Sequence, residues 1–479
     1  MKIRNSLGPF LVSTTIVLVA GCGVGTVPDS QVKKVADITP GNWAASQAGK
    51  AGVDERWVSR FGDRRLATLV SEAVAANPSM RSAEEKVRRA VILAKSANAP
   101  SLPQASAGLS GTRSKQVFVG LPIPGASGPL SSLSSSLGAS LDVSWEPDVW
   151  GKVAASQSAE LARLGAEKNA YQAARASLAG QVVKAWLALG EANEQITLAE
   201  ESLQIRQDTE TAIEDRFAQS LDDEGGTAAQ LRLARTETAN TQEVIERWKA
   251  ESARARRQLE LLAGRYPAGK VGAGVTLPKL PPKPPTGLPS ELLKRRPDVL
   301  EAERRFAAAI QDTKVADLAR FPSFSLTSSA GRSSSKLGDL LDSDFGVWSL
   351  GGNLTAPILS GGSLKAEFEN AGSRERGALA DLQRKVLDAF GEVEQALVAD
   401  YFYDQRIAAA RRALNEAKEA DSASAQDYAE GVDNILTVLQ ARGQRIQIAS
   451  QLVTLRRQRL ENRVNLHLAL GGDFQVRGK

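Results

Sequence analysis

The two halves of this chain repeat one pattern, and this duplication constrains the fold more than any other feature. Matching residues keep a constant spacing over long blocks, first 219, then 211 and finally 207 residues. The blocks are marked by Pro78 with Pro297, Gly151 with Gly362, and Gly264 with Gly471. Apolar positions agree within each block as well. The sequence therefore predicts a tandem duplication of a unit of roughly 200 residues.

The first 22 residues predict export and lipid anchoring. Lys2 and Arg4 precede an apolar run that is too short to span a bilayer, and small residues lie directly before Cys22. We interpret residues 1–21 as a lipoprotein signal peptide and Cys22, the only cysteine, as the lipidated N-terminus. The alternative is an ordinary signal peptide with an incidental cysteine. Gly23 favours the outer membrane, because an Asp at this position often retains bacterial lipoproteins at the inner membrane.

Composition argues against several classes of function. The net charge is +5 for the whole chain and about +3 for the mature one, too weak and dispersed for a nucleic-acid partner. One His, one Cys and two Met leave little for metal ligation or nucleophilic catalysis. We interpret His467 as structural, and Asp222, Asp223 and Glu224 as a solvated turn, with a weak cation site as the alternative. We expect no enzyme activity, no metal and no cofactor besides the lipid on Cys22.

A proline-rich segment, residues 277–289, separates the two repeats. Prolines cannot continue a helix or a central strand, and a run of them favours extended chain. We interpret this segment as a strap that joins the first repeat, residues 22–276, to the second, residues 290–479. A proline-rich ligand for a partner domain is the alternative.

Each repeat contains a predicted β-hairpin, at about 104–146 and about 323–356. The clearest strands alternate apolar residues with small polar ones over about 9–10 residues, the length and pattern of an outer-membrane barrel strand. Trp145 and Trp348 fall on the apolar face, where we expect contact with lipid or its interface. A half-buried soluble sheet is the alternative on pattern alone, but the lipoprotein signal favours the barrel.

Long helices follow each hairpin, within about 152–263 and about 363–470. No proline occurs from Lys152 to Ser220, and apolar residues recur at alternating spacings of four and three, as in a coiled coil. A helix of that length is a rod of roughly 100 Å, which cannot form one compact core and must pack against other rods.

Four strands per chain predict an oligomer, because about eight strands are the minimum for a closed barrel. Three copies supply twelve strands and set the long helices in a continuous ring. The predicted fold is therefore mainly α with a small β part: a tandem-duplicated protomer that forms a trimeric α-barrel topped by a 12-stranded transmembrane β-barrel.

Several motifs, in order along nearly the whole mature chain, resemble the TolC superfamily, specifically the OprM/NodT-like outer-membrane efflux lipoproteins. They are Trp57 to Asp63, Asn77-Pro78, Trp145 to Gly151, Arg295 to Glu303, Phe321 to Ser323, Tyr428 to Asp433, and Val464 to Gly472. The resemblance implies a homotrimeric exit duct that meets a periplasmic adaptor and an inner-membrane transporter of the resistance-nodulation-division type. The chain departs from the family at residues 220–226, where its first helix-to-helix turn is longer than the second.

The helix-to-helix turns are the candidate periplasmic gate and adaptor-binding tip. Asp433 occupies the position at which the resembled family has an acidic residue near its constriction, and threefold symmetry would bring three copies together. Leu436 and Leu439 are expected to supply an apolar plug beside it. The alternative is that Asp433 only caps the helix that begins at Asn434. The complete candidate tip comprises Gly431, Val432, Asp433, Leu436, Asp222 and Asp223.

The sequence thus predicts an outer-membrane exit duct of a tripartite efflux pump, anchored by lipid and extending into the periplasm. We expect varied amphiphilic drugs or metabolites as cargo rather than metal ions, because the small-polar strand faces offer no Met or His track. The alternatives are a structural coiled-coil lipoprotein of the envelope and an exit duct for type I secretion.

Overall fold

A computed structural model describes residues 38–45, 57–118, 130–219, 227–287 and 289–472. Over these residues the protomer is mainly helical, with one four-stranded antiparallel sheet. The predicted fold class is confirmed at the level of the protomer, because each half contributes one hairpin, one very long helix and one shorter returning helix.

The first half contains α1 and α2, a hairpin of β1 and β2, the long helix α3 and the returning helix α4. Their bounds are Arg64–Ala76, Pro78–Ser96, Gln104–Phe118, Leu130–Trp145, Lys152–Ala218 and Ala228–Leu262. The second half contains α5, the hairpin of β3 and β4, the long helix α6 and the returning helix α7. These span Pro297–Leu318, Ser323–Ser334, Gly346–Thr355, Ser363–Ala429 and Ile435–Ala469.

The matching helices of the two halves have identical lengths. Helices α3 and α6 each contain 67 residues, and α4 and α7 each contain 35. A 67-residue helix is roughly 100 Å long. The connections differ: nine residues separate Ala218 from Ala228, whereas five separate Ala429 from Ile435. The first turn is thus the longer one, as the spacing predicts.

The sheet runs in the order β1-β2-β3-β4, and every neighbouring pair is antiparallel. Every residue of β1 and of β4 is exposed in the protomer. None of the hydrophobic clusters in the described residues includes a strand residue. As far as the structure describes the chain, the sheet therefore has no hydrophobic core of its own.

The hydrophobic core lies where the helices cross. One cluster joins α1, α3, α4 and α7 around Trp57, and a second joins α5, α6 and α7 around Phe306. Trp43 extends the second cluster, where its ring packs edge-on against Phe390 at 6.0 Å. Its indole Nε1 also donates to the Gly287 carbonyl at 3.0 Å. The helical part of the protomer is therefore held together by apolar packing.

The strap lies across α3. Residues 275–287 form neither helix nor strand. A Cβ atom on Gly190 would lie 3.0 Å from the backbone of Thr276, so glycine permits this close crossing. The crossing is fixed by two hydrogen bonds: the Asn193 side chain donates to the Val275 carbonyl, and the Leu277 amide donates to Glu194. The strap therefore binds the first repeat tightly before the second begins.

The C-terminal ends of the two returning helices are held by equivalent side chains. Asn77 Nδ2 donates to the carbonyl of Leu262, the last residue of α4, at 2.9 Å. Arg296 Nη1 donates to the carbonyl of Ala469, the last residue of α7, at 3.2 Å. Each side chain belongs to the residue before a helix-starting proline, and each satisfies a carbonyl that the helix leaves without a partner.

Arg296 also connects α5 with α6. Its guanidinium pairs with Asp298 at 2.7 Å and with Glu392 at 2.6 Å. Burial alone would raise the pKa of Asp298, but the hydrogen bonds and charge of Arg296, with the charge of Lys385, outweigh it and hold the pKa below its ordinary value. This carboxylate therefore stays ionised and keeps the ion cluster intact.

We predict that Gly264→Ala destabilises the fold. Gly264 has a φ of +71°, and an added Cβ would lie 2.7 Å from the Ala76 carbonyl oxygen. Left-handed backbone costs a residue with a Cβ about 1–2 kcal/mol, to which the clash adds. Denaturant unfolding followed by circular dichroism should show this loss of free energy of unfolding.

Gly443→Ala is the matched control. Gly443 lies within α7 with no atom within 4 Å of an added Cβ, so alanine there should stabilise by up to about 1 kcal/mol. Wild-type stability of Gly264→Ala would contradict the role assigned to this glycine.

Candidate functional site

The two faces of the sheet differ in chemistry. The register places one set of alternate side chains on each face of all four strands. On the face that we call the polar face, almost every residue of the paired strands is Ser, Gly, Thr, Asn or Gln. The face that we call the apolar face holds Leu109, Leu141, Trp145, Trp348 and Leu354, among others. One face therefore suits lipid and the other suits water.

Asp142 is the only charged residue that the described strand pairs place on the polar face. Its carboxylate accepts hydrogen bonds from Ser329 Oγ at 2.6 Å and from Ser140 Oγ at 2.8 Å. The charge is thereby fixed by hydroxyl groups of two neighbouring strands.

Both predicted tryptophan anchors lie on the apolar face. Trp145 ends β2, and its indole Nε1 donates to the Ser101 carbonyl at 2.9 Å, so the ring is tied to the segment that enters β1. Trp348 lies in β4 opposite Ala330 and is 82% exposed in the protomer. Contact of both rings with lipid stays a prediction.

The second helix-to-helix turn is a tight reversal at Gly431. This glycine has a φ of +74°, and the Val432 amide donates to the Asp427 carbonyl at 2.8 Å, which closes the end of α6. Val432 is 74% exposed. The turn therefore presents its side chains outward from the end of the coiled coil.

Asp433 does not cap the next helix, so that part of the alternative interpretation is wrong. Helix α7 begins at Ile435, and Asn434 is its N-cap, accepting from the amides of Leu436 and Thr437. The Asp433 carboxylate accepts from the Asn434 amide at 2.7 Å and from the Thr437 hydroxyl at 3.0 Å. Asp433 is exposed, and these two bonds orient its charge at the turn.

The two leucines that follow the turn have different environments. Leu436 is 37% exposed. Leu439 instead packs against a small cluster formed by α3, α4 and α7: Ile213, Leu231, Ala234, Ile435 and Val438. Leu439 therefore belongs to the protomer's own packing, whereas Leu436 and Val432 are left for contacts beyond it. Assignment of these residues to a gate stays a prediction.

A polar cluster near the turns, which the sequence interpretation missed, joins the two coiled coils. Asp421 on α6 pairs with Arg442 at 3.2 Å and with Arg445 at 2.8 Å, both on α7. Arg442 also donates to Thr209 Oγ1 on α3 at 2.7 Å. Close to this cluster, the Arg216 guanidinium lies 4.5 Å from the centre of the Tyr428 ring.

The repeat spacing could have revealed part of this cluster. Asp421 lies 211 residues after Glu210, and Arg442 lies 207 after Arg235. Arg235 and Glu210 also form an ion pair, at 3.4 Å. An acid and an arginine preserved at both repeat spacings indicate an interhelical pair, but the link to Thr209 depends on how the two coiled coils meet.

Three predicted site residues, Cys22, Asp222 and Asp223, lie outside the described residues. In the described ranges, no group of three or more His, Cys, Asp and Glu side chains is arranged to hold a metal ion. No helix within those ranges is long and apolar enough to cross a membrane. His467 is fully buried, and its ring stacks on Trp57 at 5.5 Å.

Two curated relatives match over nearly their full lengths. The chain is 29% identical to the cation efflux system protein CusC of Escherichia coli over 475 residues, which covers 98% of both chains. It is 29% identical to the pyoverdine export outer membrane protein OpmQ of Pseudomonas aeruginosa over 471 residues, covering 96% of this chain and 95% of the relative.

The fold also matches solved structures. The structure of the outer-membrane channel OprN superposes with a TM-score of 0.83 at 24% identity, covering 91% of this chain and 97% of that one. This likeness concerns the fold alone.

A sequence model of the family described as outer membrane efflux protein matches residues 69–270 and 288–472, which include both hairpins and all four long helices. The chain therefore belongs to the outer membrane efflux protein family, and it is an efflux exit duct.

Proposed function

We propose that three copies of this chain form a continuous duct, with a 12-stranded barrel in the outer membrane and a helical tube in the periplasm. The observation that carries this proposal is the sheet itself. Among the described residues, this sheet has one apolar and one polar face, two unpaired edges and no hydrophobic core beneath it, and short links join it to helices of 67 residues. Edge pairing around a ring gives the sheet a water-filled inside and a lipid-facing outside.

Cargo is set by the inner-membrane transporter rather than by this duct. Apart from Asp142, most side chains of the polar face are small and neutral, and such side chains recognise no particular solute. In agreement with this, two relatives of equal identity are named for different cargo, cations for CusC and pyoverdine for OpmQ. A periplasmic adaptor and a transporter of the resistance-nodulation-division type complete the pump. Amphiphilic drugs or metabolites remain the expected cargo.

We expect the purified protein to be a trimer in native mass spectrometry and to conduct ions in a planar bilayer. Trimers follow from the two free sheet edges, and conductance follows from the polar inner face. A stable monomer without conductance would contradict the duct and would favour a structural envelope lipoprotein, which needs no pore.

We propose that the three copies of Asp433 in the trimer form a ring of negative charge at the periplasmic gate. Three oriented carboxylates at a narrow neck attract cations and repel one another. We expect Asp433→Asn, which keeps hydrogen-bonding capacity but removes the charge, to shift the reversal potential in a KCl gradient towards zero. Measurements at low ionic strength maximise the effect, because salt screens the ring.

Asn434→Ala is the control for the gate. It removes the helix cap and should cost about 1 kcal/mol of stability while the Asp433 charge remains. Its reversal potential should equal that of the wild type. An unchanged reversal potential for Asp433→Asn in an assembled trimer would remove Asp433 from the gate.

Lipid on Cys22 is proposed as a second anchor. The intact mass of the mature protein should equal that of a chain starting at Cys22 plus acyl groups. Cys22→Ser should lose this increment yet still insert, because the strands supply their own anchorage. A mature chain that starts at Cys22 without added lipid mass would contradict the anchor.

A further inference from the structure

The charged residues of the strands are sorted between the two faces of the sheet. The four described strands contain these charged residues: Arg113, Lys115, Asp142 and Arg332. The three basic residues lie on the apolar face, where they pair with Ser135, Leu133 and Ala139 of β2. The acidic residue lies on the polar face. In the described strands, the apolar face therefore carries only positive charge.

The two arginines are equivalent under the duplication. The pair Arg113–Ser135 of the first hairpin becomes Arg332–Gly346 of the second when residue numbers rise by 219 in β1 and by 211 in β2. Every other equivalent pair of the two hairpins maps in the same way. Arg332 is therefore the twin of Arg113, and both repeats keep an arginine at the same place on the apolar face.

The position of Arg113 along its strand corresponds to one edge of a bilayer. Its partner Ser135 lies ten residues before Trp145, the last residue of β2, after which the chain enters the long helix α3. Ten residues span about 34 Å along a strand, or about 26 Å in height at a tilt of about 40°. The apolar band of a membrane barrel is about 25 Å tall. In the proposed barrel, Trp145 at the inner interface thus places Arg113 at the outer one.

The three basic side chains are not neutralised within the part of the chain that the structure describes. Arg113 and Lys115 are exposed, and neither they nor Arg332 form an ion pair there. Arg332 Nη1 donates to the Leu340 carbonyl at 3.0 Å, a neutral partner that leaves the charge of the guanidinium uncompensated. Residues 104–141 contain no charged residue besides Arg113 and Lys115. The outer part of the first hairpin therefore has unbalanced positive charge.

We propose that Arg113, Lys115 and Arg332 bind phosphate groups of lipids in the outer leaflet of the outer membrane. This inference rests on the membrane barrel of the proposed function. A cation on the lipid face is costly at the bilayer midplane but costs little at an interface, where anionic head groups attract it. A guanidinium donates two parallel hydrogen bonds to a phosphate, and a lysine adds a point charge.

The first hairpin carries the stronger of the two sites. Lys115 lies two residues beyond Arg113 on the same face, about 7 Å along the strand, so one phosphate can meet both charges. In the second hairpin the twin of Lys115 is Ser334, whose hydroxyl donates to the Asp339 carboxylate at 2.7 Å. Arg332 therefore acts without a second cation from its strand and with an acidic group close to it.

The alternative is that these side chains only extend past the head groups into water, as long basic side chains do at membrane surfaces. Solvation by water needs no phosphate, so it predicts equal binding of anionic and zwitterionic lipids. Bound phosphate predicts a preference for the anionic lipid that disappears with the charges. The two interpretations therefore differ in a quantity that can be measured.

Native mass spectrometry of the full trimer in detergent, titrated with lipid A or with phosphatidylcholine, tests the inference. We expect the wild type to bind lipid A, which carries two phosphates, more tightly than the zwitterionic lipid. Arg113→Gln with Lys115→Gln should weaken lipid A binding about fivefold for each charge removed. Arg332→Gln should weaken it less than the double variant does, because its site is the weaker one.

Lys249→Gln with Lys418→Gln is the matched control. These exposed residues lie on α4 and α6, so the control removes the same number of charges from the helices instead of the sheet. Its affinity for lipid A should equal that of the wild type. Excess inorganic phosphate should not displace the lipid, because the acyl chains hold it against the apolar face.

The outcomes separate this inference from the proposed duct. Equal affinity of the wild type for the two lipids, equal loss in the control, no loss in the double variant, or displacement by inorganic phosphate would overturn the lipid site. An assembled, conducting trimer would leave the duct intact in each case. The lipid comparison on the wild type needs no substitution, so it decides even where a variant fails to assemble. A wild-type monomer without conductance would overturn the duct and, with it, the lipid site.

Discussion

Backbone hydrogen bonding at the two sheet edges is the constraint on which the rest of the structure depends. A four-stranded sheet leaves the outer edges of β1 and β4 unpaired, and lipid offers no water to satisfy them. The helical part has apolar clusters within one chain, whereas no strand residue joins any cluster in the described residues. The helices therefore have a packed core within one chain, whereas in the proposed trimer neighbouring copies would complete the sheet.

The two repeats keep the same helix and strand geometry, but the side chains that join their helices differ in chemistry. Asn193 and Ser252 form a neutral hydrogen bond between α3 and α4 at 3.0 Å. Their twins by the repeat spacings, Asp404 and Arg459, form an ion pair between α6 and α7 at 2.5 Å. The ends of the returning helices show the same change, because the Asn77 amide in one half and the Arg296 guanidinium in the other donate to carbonyl groups at equivalent positions. Equal helix lengths and hairpin registers let the two halves of the chain take equivalent positions in the proposed ring, whereas the interhelical contacts need only remain satisfied.

Patterns with a fixed period were predictable from sequence, whereas contacts between distant elements were not. The alternation of apolar and small polar residues predicted the two hairpins. The proline-free coiled-coil pattern from Lys152 predicted the long helix, which ends at Ala218. The bond from Arg442 to Thr209 joins residues 233 positions apart and depends on the packing of two coiled coils. The cap at Asn434 was missed because Asp433 and Asn434 are both good N-cap residues, and only the backbone at the turn decides between them.

The strands and the second helix-to-helix turn differ in their electrostatic character. Along the strands, small neutral side chains surround Asp142, whose carboxylate accepts hydrogen bonds from two hydroxyl groups, so we expect the wall of the proposed barrel to discriminate little among solutes. At the turn, Asp433 is exposed and held by two short local bonds, and it projects where the coiled coil reverses. In the proposed trimer three such carboxylates would repel one another at the gate, so closure of the proposed gate would depend on contacts between the coiled coils. The bonds of Arg442 to Asp421 and Thr209 supply such contacts within each protomer.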